Sequence, residues 1–426
     1  MTADGTALQS ERMLRASWRR TSTAGGVVSV AVALATAGCA GHPSATRPRR
    51  APSAAAPTTA AAAGTPTAAA RTAAPTPTST AYTLAPGALP LAPVGSVRAI
   101  PGLSVTDVSF VSATHGWLIG TTACGRAKRC SRVERTTDGG ASWHVLATVP
   151  PGNPFGIRFA TDTVGYAYGG VDPQGAASLI EVTHDSGASW GPVSAPTGPG
   201  SPQAYALEVD AGQVWALDGV QYAAVDRGAI GGSSLTQVGT GGNRGDELAV
   251  QGSEGYVLGL HGAGPVAPIL EVFAAGGMAE RTLPKACTTG APVADAAALS
   301  PLVTAGHLVV ACITAQGNGS VSALSTSADD GRTWQPLATL PSCAVSSLTR
   351  TTTAVFAACG FGGLEKVALL GGAATTSLTG SDFNYVGFTD DRDGVAISAA
   401  GPSDPTAQQH LFLTRDGGAH WTRVRS

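Results

Sequence analysis

Short apolar segments with period-two alternation recur in pairs along the last three quarters of the chain. The first segment of each pair covers residues 108–111, 157–159 and 385–388. After a polar turn, the second segment begins with glycine and covers residues 116–120, 165–169 and 394–397. Period-two alternation with frequent turn signals is typical of short antiparallel strands. The pattern therefore predicts strand–turn–strand units that repeat along the chain.

Four segments share the pattern Ser/Thr-x-Asp-x-Gly-x-x-Trp. The Asp and Trp of the four copies are Asp138 and Trp143, Asp185 and Trp190, Asp329 and Trp334, and Asp416 and Trp421. The aspartates are 47, 144 and 87 residues apart, which is one, about three and about two multiples of roughly 45 to 48. Weaker versions fill the gaps at residues 224–228, 273–277 and 369–372. The count predicts an all-β fold, a seven-bladed β-propeller of four-stranded antiparallel blades.

The motif suits a turn between the third and fourth strands of a blade. Its Asp carboxylate and the preceding Ser or Thr hydroxyl can form hydrogen bonds within the turn, and its Gly supplies a positive φ. The Trp ring is expected to be buried between neighbouring sheets. We therefore interpret the aspartates and tryptophans of the motif as structural residues.

The four motifs, together with the upstream Phe-x-x-x-x-x-Gly-Trp strands, resemble those of Asp-box (BNR) propellers. The resemblance covers about residues 97–425 and is closest to the photosystem II assembly and stability factor-like branch, which also includes exported bacterial lipoproteins. It implies the propeller fold and says little about the ligand. Propellers with this motif include sialidases, sorting-receptor ectodomains and assembly factors, so the fold does not determine the function.

The N-terminus has the pattern of an export signal. Four arginines precede an apolar run of about 14 residues at 24–37, which is shorter than the roughly 20 residues of a membrane span. The run ends in Thr36-Ala37-Gly38-Cys39, which resembles a bacterial lipobox, although Thr36 replaces the usual Leu. We expect residues 1–39 to be a lipoprotein signal peptide with lipidation at Cys39. An ordinary signal peptide, an uncleaved anchor and a twin-arginine signal at Arg19-Arg20 are the alternatives.

Residues 40–93 consist almost entirely of Ala, Pro, Thr, Ser and Gly. Such a composition cannot bury enough apolar surface to offset the entropy of ordering, so we predict a disordered linker. The propeller then covers residues 94–426. The expected location is the outer face of the cell membrane, or the medium if the protein is secreted.

Charge is distributed unevenly between the two parts of the chain. Residues 1–100 contain nine Arg, no Lys and two acids, a net charge of +7, and the remaining 17 basic and 26 acidic residues give −9. An acidic globular part disfavours nucleic acid as a partner, because phosphate backbones are bound through Lys and Arg.

The cysteines agree with export. There are seven, and lipidation of Cys39 would leave six. The pairs Cys287/Cys312 and Cys343/Cys359 share one arrangement, in which a Leu-Pro precedes the first Cys and an apolar strand ends in Ala-Cys. Equivalence of the repeats predicts these two disulfides and a third, Cys124–Cys130, across a short basic loop. Metal ligation is the alternative, but there is no CxxC pair or His cluster, and we expect neither metal nor cofactor.

The enzymatic alternative is a sialidase-like glycoside hydrolase. That chemistry requires an arginine triad for the substrate carboxylate, a Tyr nucleophile paired with Glu, and an Asp that acts as the general acid. Arg158 and Arg350 lie near predicted first strands, but no third arginine and no suitable Tyr and Glu are evident. Sialidases also carry an Arg-Ile-Pro motif before the first of these turns, and the nearest match here is residues 97–101, Val-Arg-Ala-Ile-Pro, with Ala inserted. We interpret these residues instead as an outer strand that closes the ring against the strand of Trp421.

We therefore expect a binding or assembly module without catalytic residues, and not an enzyme. Its partner would be a protein, peptide or glycan on the loop face of the propeller, with membrane contact through the lipid anchor only. The candidate contacts are the loops at residues 112–115, 162–164 and 390–393. A structural protein of the cell envelope is a third possibility.

Overall fold

The fold is taken from a computed structural model. It describes residues 103–424 without 124–128, 151, 153, 172–177, 196–203, 219–223, 242–243, 261–267, 275–276, 289–296, 302–305, 317–318, 361, 381 and 399–408. Cys39, the apolar run, the linker and residues 97–101 lie outside the described residues. Within them, no helix is both long enough and apolar enough to cross a membrane.

The described chain forms seven four-stranded sheets. Blade 1 contains β1 (Ser104–Phe110), β2 (Gly116–Ala123), β3 (Arg129–Thr136) and β4 (His144–Val145). Blade 2 contains β5 (Gly156–Phe159), β6 (Gly165–Val171), β7 (Ser178–Thr183) and β8 (Gly191–Pro192). Blade 3 contains β9 (Ala204–Asp210), β10 (Gln213–Asp218), β11 (Ala224–Ala229) and β12 (Thr236–Thr240). Blade 4 contains β13 (Arg244–Gln251), β14 (Glu254–Leu260), β15 (Pro268–Ala274) and β16 (Gly277–Arg281).

The last three blades are built in the same way. Blade 5 contains β17 (Ala297–Pro301), β18 (Leu308–Gln316), β19 (Gly319–Ser327) and β20 (Gln335–Leu340). Blade 6 contains β21 (Val345–Arg350), β22 (Ala354–Cys359), β23 (Gly363–Ala368) and β24 (Thr375–Leu378). Blade 7 contains β25 (Phe383–Phe388), β26 (Gly394–Ser398), β27 (Leu411–Thr414) and β28 (Thr422–Arg423). A short helix, α1 (Lys285–Thr288), lies between blades 4 and 5.

In every blade the strands pair in chain order and run antiparallel. The first strand of each blade contacts the first strand of the next, from β1 and β5 through to β21 and β25. These strands therefore surround the centre, and the fourth strands lie at the rim. The predicted seven-bladed propeller with four-stranded antiparallel blades is confirmed.

Apolar side chains fill the space between neighbouring blades. Seven clusters of buried residues are described, and each joins two adjacent blades, including the last blade and the first. At the seam between blades 1 and 2, Trp117 stacks on Phe159 with ring centroids 3.7 Å apart. The indole Nε1 of Trp117 also donates a hydrogen bond to the Ser186 carbonyl, 2.9 Å away. The core is thus a ring of interfaces between blades.

Side chains also satisfy backbone groups across the seams, since within the described residues no ladder joins one first strand to the next. The Ile157 N–H donates to Asp107 Oδ2 at 2.9 Å, and the Phe159 N–H donates to Ser109 Oγ at 2.9 Å. Between blades 4 and 5, the Leu299 N–H donates to a Glu247 carboxylate oxygen at 2.6 Å. A buried N–H without an acceptor costs about 1–3 kcal/mol. These polar residues of the first strands therefore stabilise the contact between neighbouring blades by accepting backbone hydrogen bonds.

Two of the three predicted disulfides are confirmed. Cys287 in α1 is bonded to Cys312 in β18, and Cys343 is bonded to Cys359 in β22, with Cα–Cα distances of 4.8 and 5.0 Å. Each bond fixes the segment that enters a blade to the second strand of that blade. For the third pair, Cys124 lies outside the described residues.

One expected turn is wrong. Residues 224–228 do not form a weaker motif turn, because they lie within β11 and Asp226 pairs with both flanking strands. The turn follows at residues 230–231, where Gly231 has a φ of 77°. The expected turn at residues 369–372 does lie between β23 and β24, and Gly371 has a φ of 85°. Part of the segment 273–277 lies outside the described residues.

The seam between blades 7 and 1 carries an arginine link in addition to its apolar cluster. Arg415 of blade 7 donates one hydrogen bond to the Gly139 carbonyl in blade 1. The same guanidinium contacts an Asp393 carboxylate oxygen at 2.9 Å, and the arginine side chain is 28% exposed. Arg415 therefore connects the last blade to the first.

Replacing this arginine tests the link. Arg415→Ala is expected to lower the free energy of unfolding by about 1–2 kcal/mol, because a hydrogen bond to the Gly139 carbonyl is lost. Arg332→Ala is the matched control, since Arg332 is 57% exposed and pairs with Asp330 within a single turn; its effect should stay below about 0.5 kcal/mol. Urea unfolding of both variants measures the difference, and equal losses would contradict this role for Arg415.

Candidate functional site

The first motif turn is held by its own side chains. Thr136 Oγ1 donates to Asp138 Oδ1 and accepts from the Gly140 N–H, both at 2.8 Å. Asp138 also accepts from the Ser142 N–H at 2.8 Å and from the Ser142 hydroxyl at 2.6 Å. Both oxygens of the Asp138 carboxylate thus accept hydrogen bonds from within the turn.

The same arrangement occurs in blades 2, 5 and 7. The equivalent carboxylates are Asp185, Asp329 and Asp416, with His420 in place of a hydroxyl residue in blade 7. Hydrogen bonds from Ser189 and Thr183 lower the pKa of Asp185 to about 2. These four turns therefore prefer ionised aspartate.

Each motif turn also supports the loop between the first and second strands of its own blade. A backbone N–H of the turn donates to a loop carbonyl at 2.8–3.0 Å. The four donor–acceptor pairs are Gly139–Thr114, Ser186–Thr163, Asp330–Gly306 and Gly417–Arg392. The motif turns and these loops thus share one face of the propeller, which we call the mouth face.

The motif glycine and tryptophan fix the turn to the preceding blade. Gly140 has a φ of 88°, and a Cβ atom there would lie 2.5 Å from a methyl carbon of Leu413 in blade 7. The rings of Trp143, Trp190, Trp334 and Trp421 are half-buried, and each packs against the apolar cluster between its own blade and the preceding one. In blades 5 and 7 the indole N–H reaches back to Thr282 and Ser377 of the preceding blade, at 2.9 and 3.0 Å.

A cavity of about 1130 Å³ lies along the central axis. All seven first strands contribute to its wall, mostly through their C-terminal halves, and it continues to the loop residues Asp390 and Asp391 at the mouth face. Of the three loops expected to make contacts, only the loop at residues 390–393 reaches this cavity, through Asp390, Asp391 and Asp393. The loops at residues 112–115 and 162–164 lie on the same face outside it.

Arg158 forms the centre of the cavity floor. Its Nε donates to the Leu207 carbonyl at 3.2 Å, and one NH2 group contacts a Glu208 carboxylate oxygen at 3.2 Å. A second carboxylate, that of Asp107, lies 3.8 Å away, and the arginine side chain is only 15% exposed. Arg158 thus contacts residues of the blades on both sides of its own.

The pKa values of the floor reflect this burial. Burial would lower the pKa of Arg158, but Glu208 and Asp107 outweigh it and raise the pKa well above its usual range. Burial raises the pKa of Glu208 against the opposing effect of Arg158. Burial also raises the pKa of Tyr385, which lies against Arg158, to about 12. The Tyr385 hydroxyl is therefore protonated at neutral pH.

Arg350 occupies the cavity wall nearer the mouth. Burial lowers its pKa, and Asp210 and Asp391 act in the opposite direction. Asp391 also accepts hydrogen bonds from the N–H and hydroxyl of Thr352, and Asp210 accepts from the Gly252 N–H at 2.6 Å. The wall therefore presents a half-buried guanidinium between two carboxylates whose positions are fixed by backbone contacts.

The two arginines found in the sequence, Arg158 and Arg350, both line the cavity, and Arg415 lines it as well. Sequence reasoning missed Tyr385, Glu208 and Asp107. Their position on or next to a first strand is the shared signal, but it identifies them only once the seven repeats are aligned. Among the described residues, no three His, Cys, Asp or Glu side chains are grouped so that they could hold a metal ion.

Comparison with known proteins supports the fold. No family model matches the sequence. No curated protein matches it either. Among solved structures, "YCF48 bound to D1 peptide" is 17% identical with a TM-score of 0.52 and covers 75% of this chain and 95% of its own. The β-propeller domain of the Trilobed protease from Pyrococcus furiosus is 11% identical with a TM-score of 0.53, covering 76% and 98%. The computationally designed Ika8 protein is 13% identical with a TM-score of 0.50, covering 77% and 88%.

The motif turns generate a stability prediction. Asp185→Ala should lower the free energy of unfolding at pH 7 by about 1 kcal/mol, because its turn loses the hydrogen bonds to the carboxylate. The melting temperature of the variant should fall accordingly. Because the pKa of Asp185 is depressed in the folded protein, its ionised carboxylate stabilises the fold at pH values above the ordinary pKa near 3.8. This stabilisation is lost as the pH falls toward 2. The difference between wild type and variant should therefore shrink over that range.

Asp162→Ala is the matched control for this measurement. Asp162 lies in a loop of the same blade, its side chain is 56% exposed, and its carboxylate lies 3.5 Å from His115. Thermal unfolding followed by circular dichroism is expected to show little change for the control. An Asp185→Ala protein that melts with the wild type would refute the structural role of the carboxylate.

Proposed function

We propose that the protein is a non-catalytic binding module that receives a peptide or a protein segment in its central cavity at the mouth face. The observation that carries this proposal is the cavity of about 1130 Å³, lined by all seven blades and by charged side chains of both signs. A preformed concave site with a few fixed polar groups is the usual form of a ligand site.

The charged groups of the floor support binding rather than catalysis. Both Asp107 oxygens accept backbone N–H groups, from Val108 at 2.8 Å and Ile157 at 2.9 Å. Arg158 is held between this carboxylate and Glu208. A catalytic acid or base must be able to exchange a proton with substrate, and a nucleophile needs activation. The raised pKa of Tyr385 is the opposite of activation.

The display of this module outside the cell is part of the proposal. The lipobox-like segment at Cys39 and the linker of residues 40–93 would hold the propeller away from the membrane. Two disulfides in the described residues fit an oxidising compartment. Among proteins of the same fold, YCF48 was solved with a bound peptide, which agrees with a peptide ligand here.

A sialidase-like hydrolase is the second candidate. One observation favours it, because Arg158, Arg350 and Arg415 line the same cavity as Tyr385 and Glu208. The test is an assay with a fluorogenic sialoside on the full-length protein and on Tyr385→Phe. Turnover that disappears in this variant would establish the hydrolase and overturn the non-catalytic proposal.

The binding proposal is tested with selected peptides. Full-length protein is used to enrich binders from a phage-displayed library of random peptides, and affinities are measured by fluorescence anisotropy. Arg350→Ala should weaken the enriched peptides at least about tenfold, which corresponds to about 1.4 kcal/mol. Arg332→Ala, an exposed arginine on the mouth face outside the cavity, should leave the affinity unchanged.

Two outcomes would contradict the cavity as the site. One is that no peptide is enriched over an unrelated propeller. The other is that the peptides bind the Arg350→Ala and Arg332→Ala proteins equally well, with unfolding curves showing that both variants are folded.

A further inference from the structure

Arg350 lies at the mouth end of the central cavity. It is the last residue of β21, the first strand of blade 6, and it lines the cavity. The first strands surround the axis, and the loops that follow them lie at the mouth face. The side chain of Arg350 therefore starts at the level where the cavity meets the mouth face.

The two carboxylates that act on Arg350 come from opposite sides of the ring. Asp210 is the last residue of β9 in blade 3, and Asp391 lies in the loop between β25 and β26 of blade 7. Three seams separate blade 7 from blade 3 in one direction around the ring, and four separate them in the other. A guanidinium that interacts with both acids therefore lies in the opening of the cavity, near the axis of the ring.

Burial and charge agree with this position. Arg350 is half-buried, whereas Asp210 and Asp391 are exposed. Burial lowers the pKa of Arg350, and the two carboxylates oppose that effect. The guanidinium is thus shielded by the cavity wall while it remains close to both acids.

Hydrogen bonds hold the two carboxylates in place. Asp210 accepts from the Gly252 N–H at 2.6 Å. Asp391 accepts from the Thr352 N–H at 2.6 Å and from the hydroxyl of the same residue. The acids are therefore fixed acceptors, and the arginine side chain, with its several rotatable bonds, is the movable partner.

Other charged groups at the opening are engaged in their own contacts. Arg415 pairs with Asp393 at 2.9 Å and donates to the Gly139 carbonyl, which holds it at the seam between blades 7 and 1. Asp390 accepts from the backbone N–H of Asp393 at 2.7 Å. Residues 302–305 of blade 5, which lie outside the described residues, are uncharged by sequence. Among the described cations of the opening, Arg350 is thus the one with partners on both sides of the ring.

The contact of Arg350 with the two acids is of a kind that breaks easily. Ion pairs near solvent are weak, because water screens the attraction and ordering the side chains costs entropy. Rotamer changes of solvent-accessible side chains are also fast compared with movements of whole blades. The guanidinium can therefore leave the opening and return while the propeller itself stays unchanged.

We propose that Arg350 is the gate of the cavity: between Asp210 and Asp391 its guanidinium narrows the entrance, and a ligand reaches the inner cavity when this side chain rotates away. The inner cavity contains Arg158 and Tyr385. The gate rests on the proposed binding function and adds a control of access to the same site.

Access to the inner cavity is measurable without a ligand. Ser347 lines the cavity on β21, is half-buried, and lies about 10 Å deeper than Arg350. Ser347→Cys places a thiol there with little change in size. In the full-length protein, its reaction with N-ethylmaleimide is followed by mass spectrometry of the peptide that carries the thiol. The rate reports the fraction of time for which the entrance is open.

Arg350→Gln in the Ser347→Cys background should raise the labelling rate at least about fivefold, as for a gate that is open about one fifth of the time. Glutamine retains a long side chain but has no charge to hold it between the carboxylates. Arg350→Lys keeps the charge and should label nearly as slowly as the Ser347→Cys protein. Arg332→Gln is the matched control outside the cavity and should leave the rate unchanged.

Salt provides a second readout of the same gate. Raising sodium chloride from about 0.05 to about 0.5 M screens ion contacts near solvent. Labelling of the Ser347→Cys protein should therefore accelerate with salt, and labelling of its Arg350→Gln form should not. Thr114→Cys, at an exposed position of the mouth face outside the cavity, is the reference that corrects for the reagent's own salt dependence.

Equal labelling rates with Arg350 and with Arg350→Gln, in proteins shown to be folded by their unfolding curves, would overturn the gate. A salt dependence that persists in the Arg350→Gln form would overturn it too. The result is separable from the peptide experiment. Peptide binding with equal labelling rates removes only the gate, whereas faster labelling of Arg350→Gln in a protein that enriches no peptide supports the gate and removes only the binding proposal.

Discussion

The ring depends on how the open edges of its central strands are satisfied. Among the described residues each blade pairs its strands only within itself, so no strand of another blade satisfies the N–H and C=O groups on the open edge of the first strand. Asp107, Ser109 and Glu247 supply acceptors for backbone N–H groups of the next blade at 2.6–2.9 Å. A buried N–H group without an acceptor costs roughly a tenth or more of the net free energy of unfolding of a domain. These contacts therefore decide whether neighbouring blades pack against each other.

This constraint also explains the charges of the cavity floor. An aspartate that accepts backbone hydrogen bonds in a buried seam needs a compensating cation, and Arg158 provides it for Asp107. The charged residues of the floor therefore stabilise the fold, and substitutions of Asp107 or Arg158 are expected to destabilise the ring. Arg350 stands nearer the mouth, between Asp210 and Asp391, whose positions are fixed by other contacts. Arg350 is therefore the better position at which to separate binding from folding.

Local features were predictable from the sequence, and contacts between repeats were not. Asp138, Gly140 and Trp143 lie within one turn, so their spacing gave the repeat and the number of blades. The disulfides followed because Cys287/Cys312 and Cys343/Cys359 occur at equivalent positions of two repeats. The cavity brings together residues from separate repeats, such as Arg158 and Tyr385. No local sequence pattern predicts which of these residues are in contact. Asp226 was misread for the same reason: Val-Asp-Arg-Gly looks like a turn motif, whereas its neighbours in space make it part of a strand.

The seams of the ring are not equally reinforced. Between blades 4 and 5 and between blades 5 and 6, a disulfide ties the entering segment to the second strand, and the bonded cysteines are themselves part of the apolar clusters. The seam between blades 7 and 1 has the Arg415 contacts in addition to its cluster. The seam between blades 2 and 3 instead contains Asp226, a buried carboxyl without a hydrogen-bond partner in the described residues. A buried carboxyl without a hydrogen-bond partner costs free energy, so Asp226 offsets part of the stability that the apolar cluster gives to this seam.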